Sequence, residues 1–318
     1  MAGAGSGHGE SGGAILAAFL ANLGIAVAKA IGFVITGSSA LLAESIHSVA
    51  DSSNQALLFL GGRRAQRPPT ELHPFGFGRS RYFWAFVVSV VLFSVGGLFS
   101  AYEGIHKIQH PEEIDSPAVA FAIFGFAIVF EALALRTAVR HATPARGRRS
   151  WATYIRTSRS PELPVLLLED SGALIGLLFA TSGVGLAVIT GNPVFDGIGT
   201  LAIGLLLMGI AVVLAIEMKS LLLGEAAAPE HVERIEAELG SVPSVVRIIT
   251  VLTQHLGPDE LLVAVKVELD HSLTVSQVAA AINECEREIR EAVPIAKRIY
   301  IEPDLFEPEL AGGAGEEE

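Results

Sequence analysis

Long apolar stretches dominate this sequence and restrict what it can fold into. Six blocks of roughly 20 residues or more could each cross about 30 Å of hydrocarbon as a helix. They cover residues 14–36, 40–60, 81–106, 117–140, 161–189 and 195–216. Hydrophobic residues occupy 51% of the 318 positions and the mean hydropathy is +0.50, values uncommon in soluble globular chains. The sequence therefore predicts a membrane protein with an all-α bundle of six transmembrane helices.

Charge is distributed unevenly along the chain. Residues 224–318 contain 7 of the 22 basic and 20 of the 34 acidic residues, so the formal charge of −12 belongs to this segment. In the membrane half, arginines concentrate in the connections after the second and fourth spans. The positive-inside rule then predicts that both connections and both termini are cytoplasmic. No basic segment precedes the first apolar block, so we expect no cleavable signal. A prokaryotic plasma membrane is the simplest location.

A small soluble domain is predicted after the sixth span. Residues 229–239 and 275–293 have helical periodicity, whereas 245–253, 261–269 and 297–301 alternate as strands. This order fits a βαββαβ or αββαβ plait, a ferredoxin-like α/β fold steadied by pairing with a second copy. We therefore divide the chain into a disordered tail (1–12), a transmembrane transport domain (13–223), a C-terminal dimerisation domain (224–305) and an acidic disordered tail (306–318). The single cysteine, Cys285, excludes a disulfide framework.

Polar side chains interrupt the second apolar block with helical spacing. Glu44, His47, Asp51 and Asn54 stand at i, i+3, i+7 and i+10, which places them on one face of a helix. Ionisable groups at bilayer depth are costly unless they face a cavity, a partner or a passing ion. The stripe is therefore a candidate permeation site that could hold a metal ion.

Each residue of the stripe also has a purely structural interpretation. A lone histidine in an apolar helix is commonly a hydrogen-bonded core residue. Glu44 could serve the outer mouth of a pathway or form a salt bridge with Lys29, which lies at comparable depth on the first span. Asn54 is expected to form an interhelical hydrogen bond rather than to bind metal. Glu131 is most simply an inner-end residue of the fourth span.

Three motifs carry a resemblance to a known family. They are the second-span segment from Thr36 to Asp51, the loop from His73 to Arg79, and Leu223-Gly224-Glu225 before the α/β tail. Together with six spans, these motifs resemble the cation diffusion facilitator family. The Leu168-Glu169-Asp170-Ser171 run and Arg81 are further similar to its zinc-transporter-9 branch. The resemblance implies export of divalent transition metals, most often zinc, in exchange for protons by a homodimer with cytoplasmic C-terminal domains.

The resemblance also implies a transport site with two i, i+4 ligand pairs, one from the second span and one from the fifth. His47 and Asp51 match the first pair, and Asp170 matches one member of the second. Leu166 stands where the other member is expected. Either water or Glu169 would then complete the shell, although the Cβ of Glu169 points about 100° away from that of Asp170 on a regular helix. Glu169 could alternatively carry protons or pair with Lys29.

The predicted ligand set favours certain cargoes and leaves alternatives open. Imidazole with carboxylates suits Zn²⁺ and tolerates Mn²⁺, Fe²⁺ or Co²⁺. The same groups must lose protons to take the cation, so H⁺ is the expected coupling ion. Some members of the resembled family hold a second metal at the membrane-domain boundary, where His73 with Glu71 could bind one. A non-transporting metal sensor or partner protein is the alternative function. We expect neither an enzyme nor a nucleic-acid partner.

Overall fold

The computed structural model describes residues 23–306, and the predicted N-terminal tail and residues 307–318 lie outside this range. The chain forms two compact units. The first contains residues up to 63 together with residues 82–219, and the second contains residues 64–81 and those from 220 onward. The connection between the second and third predicted spans thus belongs to the same unit as the C-terminal domain. The predicted domain boundaries stay predictions.

Seven helices are described in the membrane half. Their bounds are α1, Leu23–Thr36; α2, Ser39–Ala65; α3, Ser80–Gln109; α4, Pro117–Arg146; α5, Trp151–Thr157; α6, Glu162–Thr190; and α7, Val194–Leu223. All but the short α5 coincide with the six predicted spans. By length and composition alone, α3, α4, α6 and α7 are apolar enough to cross a membrane. The polar stripe lowers the hydropathy of α2, and α1 is described over less than a full span.

Small residues let α3 and α7 pack with their backbones in contact. A Cβ added to Gly104 would collide with backbone atoms of Leu201, and one added to Gly204 would collide with Ala101. Close approach at small residues is the usual basis of helix packing where no water is expelled. Large apolar side chains of α4, such as Phe126 and Val129, are exposed. These side chains suit a surface in contact with lipid.

The third span departs from the regular helix that its sequence predicts. Residues Leu92–Leu98 form a π-helical segment within α3. Such segments are rare and frequently occur at functional sites. Gly96 lies in this segment, and a Cβ built on it would be 4.0 Å from Nδ1 of His47. The irregular turn therefore borders the polar stripe of α2.

The C-terminal domain contains α8, Pro229–Ser241; β1, Val245–Gly257; β2, Glu260–Leu269; α9, Val275–Ala292; and β3, Ala296–Pro303. The sheet order is β1-β2-β3, with β1 antiparallel and β3 parallel to β2. This is the αββαβ alternative of the predicted plait, so the predicted fold class is confirmed.

One face of the sheet carries the core of this domain. Burial alternates along β2, and its inward residues Val263 and Val265 pack with Ile235 of α8 and Ile289 of α9. Cys285 is fully buried in the same cluster. Burial raises the pKa of its thiol to about 11, which leaves little reactive thiolate at neutral pH. The cysteine is therefore a packing residue.

The segment from 64 to 81 lies against the β1–β2 hairpin within the second unit. Nη1 of Arg81 is 2.7 Å from Oδ2 of Asp259 at the tip of the hairpin. A Cβ on Gly78 would be 3.3 Å from Cα of Gly257, so the two backbones are in contact. His73 is exposed in this segment, with its ring centroid 4.6 Å from that of Phe77.

Candidate transport site

The start of α2 is fixed by a carboxylate from another helix. Asp196 of α7 is fully buried and accepts a 3.0 Å hydrogen bond from the backbone N–H of Ser39, together with bonds from the hydroxyl groups of Ser38 and Ser39. An anion at a helix N-terminus satisfies otherwise unpaired N–H groups and complements the helix dipole. This contact holds α2, which carries the polar stripe, at its first turn.

A buried lysine joins α1 to α2. The Nζ atom of Lys29 lies 2.9 Å from Glu44 Oε2 and donates a 2.8 Å hydrogen bond to Ser48, and all three side chains are buried. The Lys29–Glu44 pair predicted from sequence is therefore present. Glu131 of α4 approaches the same Nζ atom at the longer distance of 3.8 Å. The alternative that Lys29 pairs with Glu169 is wrong, because Glu44, Glu131 and Ser48 surround the ammonium group.

His47 and Asp51 stand one turn apart on α2, as their spacing requires. Nε2 of His47 is 3.3 Å from Oδ2 of Asp51. Both ring nitrogens of His47 and Oδ1 of Asp51 lack a hydrogen-bond partner within the described protein, although His47 is almost fully buried. Buried polar atoms are normally paired. Unpartnered nitrogen and oxygen atoms side by side fit a site for a cation that brings its own partners.

A narrow cavity lies next to this pair and is lined by residues of four helices. Asp51, Ser48 and Gln55 come from α2, Glu169 and Asp170 from α6, Glu131 from α4 and Ile25 from α1. The cavity has room for roughly one water-sized particle. Within residues 23–306, no three His, Cys, Asp or Glu side chains are close enough to hold one metal ion. The donors are therefore neighbours that would have to move closer together to bind one cation.

The adjacent carboxylates of α6 both border the cavity. Glu169 is buried and accepts a 2.7 Å hydrogen bond from Nδ2 of Asn54. The bond is interhelical, as expected for this asparagine. Glu169 borders the cavity although its Cβ points in a different direction from that of Asp170, since it lies on the buried face of α6 with Val165 and Gly172. Leu166, one turn before Asp170, packs against a buried apolar cluster, as do Leu135 and Val139 of α4.

The structure thus gathers part of the predicted residue set. Asp51, Glu169 and Asp170 line one cavity, with His47 beside Asp51 and Asn54 beside Glu169. Glu44 does not line that cavity, and His73 lies in the second unit. Sequence reasoning missed Glu131, which is wrongly interpreted as a simple inner-end residue. The sequence does contain an indication of this role, because Glu131 is an isolated carboxylate inside a long apolar segment.

These features define a class of protein: an integral membrane protein with a carboxylate-lined cavity between its helices. Comparison with known families agrees. The cation efflux transmembrane domain model matches residues 15–223, and the model of the cation efflux protein cytoplasmic domain matches residues 227–305. The chain belongs to the cation efflux family, as the sequence motifs indicated. Members of this family are transporters and not enzymes.

Individual relatives carry more specific descriptions. The chain is 35% identical over 245 residues to the proton-coupled zinc antiporter SLC30A9, mitochondrial, of Xenopus laevis, a match that covers 76% of this chain and 44% of the relative. The human protein of that name gives 35% identity, covering 76% and 43%. The chain thus spans less than half the length of these relatives. It is also 24% identical to the manganese efflux system protein MneP of Bacillus subtilis, covering 90% of this chain and 93% of the relative.

Proposed function

We propose that this chain exports divalent transition-metal ions from the cytoplasm in exchange for protons, with Zn²⁺ as the preferred cargo. The observation that carries the proposal is the membrane cavity lined by Asp51, Glu169 and Asp170, with His47 in contact with Asp51. Buried carboxylates without counter-ions are costly, and a divalent cation removes that cost. The cation is the cargo, so the site must open in turn to each side of the membrane.

The donor set distinguishes between cargoes. His47 supplies imidazole nitrogen and the cavity supplies carboxylate oxygen, a combination that Zn²⁺ accepts readily in tetrahedral geometry. Mn²⁺, Fe²⁺ and Co²⁺ remain alternatives because oxygen ligands also suit harder ions. The similar proteins include a zinc antiporter and a manganese efflux protein, in agreement with this range.

Proton exchange follows from the same groups. Imidazole nitrogen and carboxylate oxygen bind a metal only when deprotonated, so metal and protons compete for one set of atoms. Metal binding from the cytoplasm would release protons from His47, Asp51 and Asp170. Reprotonation from the other side would expel the metal and return the site to its starting state. A proton gradient directed inward would then drive metal outward.

Assembly and orientation are part of the proposal. The C-terminal domain matches the cytoplasmic domain of the cation efflux family, and pairing of this domain would join two copies of the chain. We infer a homodimer with both termini in the cytoplasm, since the arginine-rich connections lie on that side by the positive-inside rule. A prokaryotic plasma membrane is the location that we propose.

Flux measured with purified protein tests the function directly. The full chain is reconstituted into liposomes that are acidic inside and contain a metal-sensitive dye, and Zn²⁺ or Mn²⁺ is added outside. We expect metal entry that stops when the pH gradient is collapsed. Metal binding without any flux would instead support the alternative of a non-transporting sensor. Flux that does not depend on the pH gradient would show that metal transport is not coupled to proton exchange.

Replacement of the histidine tests the preferred cargo. We expect His47→Asp to shift selectivity from Zn²⁺ toward Mn²⁺ by about tenfold or more, because an oxygen ligand replaces nitrogen. Competition of Zn²⁺, Co²⁺ and Mn²⁺ in the liposome assay measures the shift. His110→Asp is the matched control, since this exposed histidine at the end of α3 lies outside the site. Unchanged selectivity in His47→Asp would show that His47 does not touch the ion.

A further inference from the structure

Glu131 is placed where the transported ion would pass. It lies in the middle of the 30-residue helix α4 and lines the same cavity as Asp51, Glu169 and Asp170. Its side chain is 13% exposed, so it is neither a lipid-facing nor a cytoplasmic residue. The carboxylate therefore needs a partner at membrane depth.

Lys29 is a weak explanation for this carboxylate. The ammonium group makes its short contacts with α2, at 2.9 Å to Glu44 and 2.8 Å to Ser48, whereas Glu131 is 3.8 Å away. The charge of Lys29 is thus largely matched by Glu44. Glu131 joins three further carboxylates around the cavity, and one lysine does not balance this group.

An independent observation points to a cation at this place. The ring nitrogens of the buried His47 have no hydrogen-bond partner in the described protein, and Nε2 lies 3.3 Å from Asp51, which lines the cavity. Unpaired donor atoms of this kind are costly when buried. Such atoms would be satisfied by a cation or its water shell beside Asp51, in the cavity that Glu131 and Asp170 also line.

The packing of α4 against α6 explains why Glu131 is suitable as a ligand beside Asp170. Leu166 of α6 packs against the same apolar cluster as Leu135 and Val139 of α4. Leu163 of α6 joins the same cluster, so late residues of α4 meet early residues of α6 and the two helices run antiparallel. Glu131 lies one turn before Leu135 on α4, Asp170 lies one turn after Leu166 on α6, and both side chains line the same cavity.

We propose that Glu131 is a carboxylate ligand of the transported cation, bound together with Asp51 and Asp170, and that it supplies from α4 the donor that position 166 lacks. This inference rests on the proposed function. It makes the cargo shell richer in oxygen than a site with two ligand pairs, with His47 as the nitrogen donor. A shell of this kind accommodates Mn²⁺ as well as Zn²⁺.

Metal affinity of the purified full chain tests the inference. Titration with Zn²⁺ and with Mn²⁺ against a chromophoric indicator gives dissociation constants, and thermal unfolding without metal gives stability. We expect Glu131→Gln to weaken both affinities by about tenfold or more. Glu103→Gln is the matched control, a partly buried glutamate of α3 that does not line the cavity, and should bind metal as the unmodified protein does.

Two further variants separate a ligand from a counter-charge for Lys29. Glu131→Asp keeps the negative charge but withdraws the oxygens by one methylene, so a ligand predicts weaker binding and a counter-charge predicts no change. Adding Leu166→His to Glu131→Gln should restore Zn²⁺ affinity more than Mn²⁺ affinity, since imidazole is introduced one turn from Asp170. Unchanged metal affinity in both Glu131 variants would overturn the inference.

The proposed function fails by a different result. If Asp51→Ala and Asp170→Ala bind metal normally, the metal does not bind in this cavity. Glu131 is then not a ligand either. If those two variants lose binding while both Glu131 variants retain it, only the role of Glu131 is wrong.

Discussion

Asp51→Ala and Asp170→Ala should each abolish metal transport in the liposome assay. Both carboxylates line the cavity, and Asp51 is in contact with His47. Removal of either leaves the cation with fewer anionic ligands at membrane depth, where water cannot replace them fully. We expect flux to fall by at least about a hundredfold, the upper end of what supporting ligands contribute in metal sites.

The control must show that the loss is chemical and not structural. Asp115→Ala removes an exposed carboxylate from the connection between α3 and α4 and should leave flux unchanged. All three variants are compared for expression and for elution as a single species in detergent. Retained flux in a well-folded Asp51→Ala or Asp170→Ala variant would refute the site assignment.

Lys29→Met should cause the largest loss of stability among single substitutions in the membrane half. It leaves the fully buried Glu44 without its 2.9 Å partner and removes the only nearby cation that the described structure gives to Glu131. Breaking a buried ion pair from one side costs about 3–5 kcal/mol. In a protein of this size the midpoint of thermal unfolding should fall by roughly 10 °C.

A double substitution tests the cause of this effect. Lys29→Met combined with Glu44→Gln removes both charges, and we expect it to recover part of the lost stability because no uncompensated carboxylate then remains at that contact. Thermal unfolding in one detergent, followed by tryptophan fluorescence, compares the two variants. A double variant less stable than Lys29→Met alone would show that the charge pair is not what Lys29 contributes.

Local sequence patterns determined a large part of this protein. The six apolar blocks specified the spans, because hydrocarbon thickness fixes the length of a helix that crosses it. Alternation and periodicity predicted the helices and strands of the C-terminal domain and left two orders open, of which the structure has αββαβ. The i, i+4 spacing of His47 and Asp51 required them to share a helical face, and the structure gives the expected contact.

Contacts between distant segments were decided only by the tertiary structure. The capping of α2 by Asp196 joins residues 157 positions apart, and no local pattern encodes it. Glu169 lines the cavity and accepts a hydrogen bond from Asn54 of α2, a contact between two helices that periodicity within α6 does not encode. Glu131 and Asp170 line one cavity because α4 and α6 pack against each other. Sequence periodicity assigns a residue to a face, but only helix packing decides which other faces it meets.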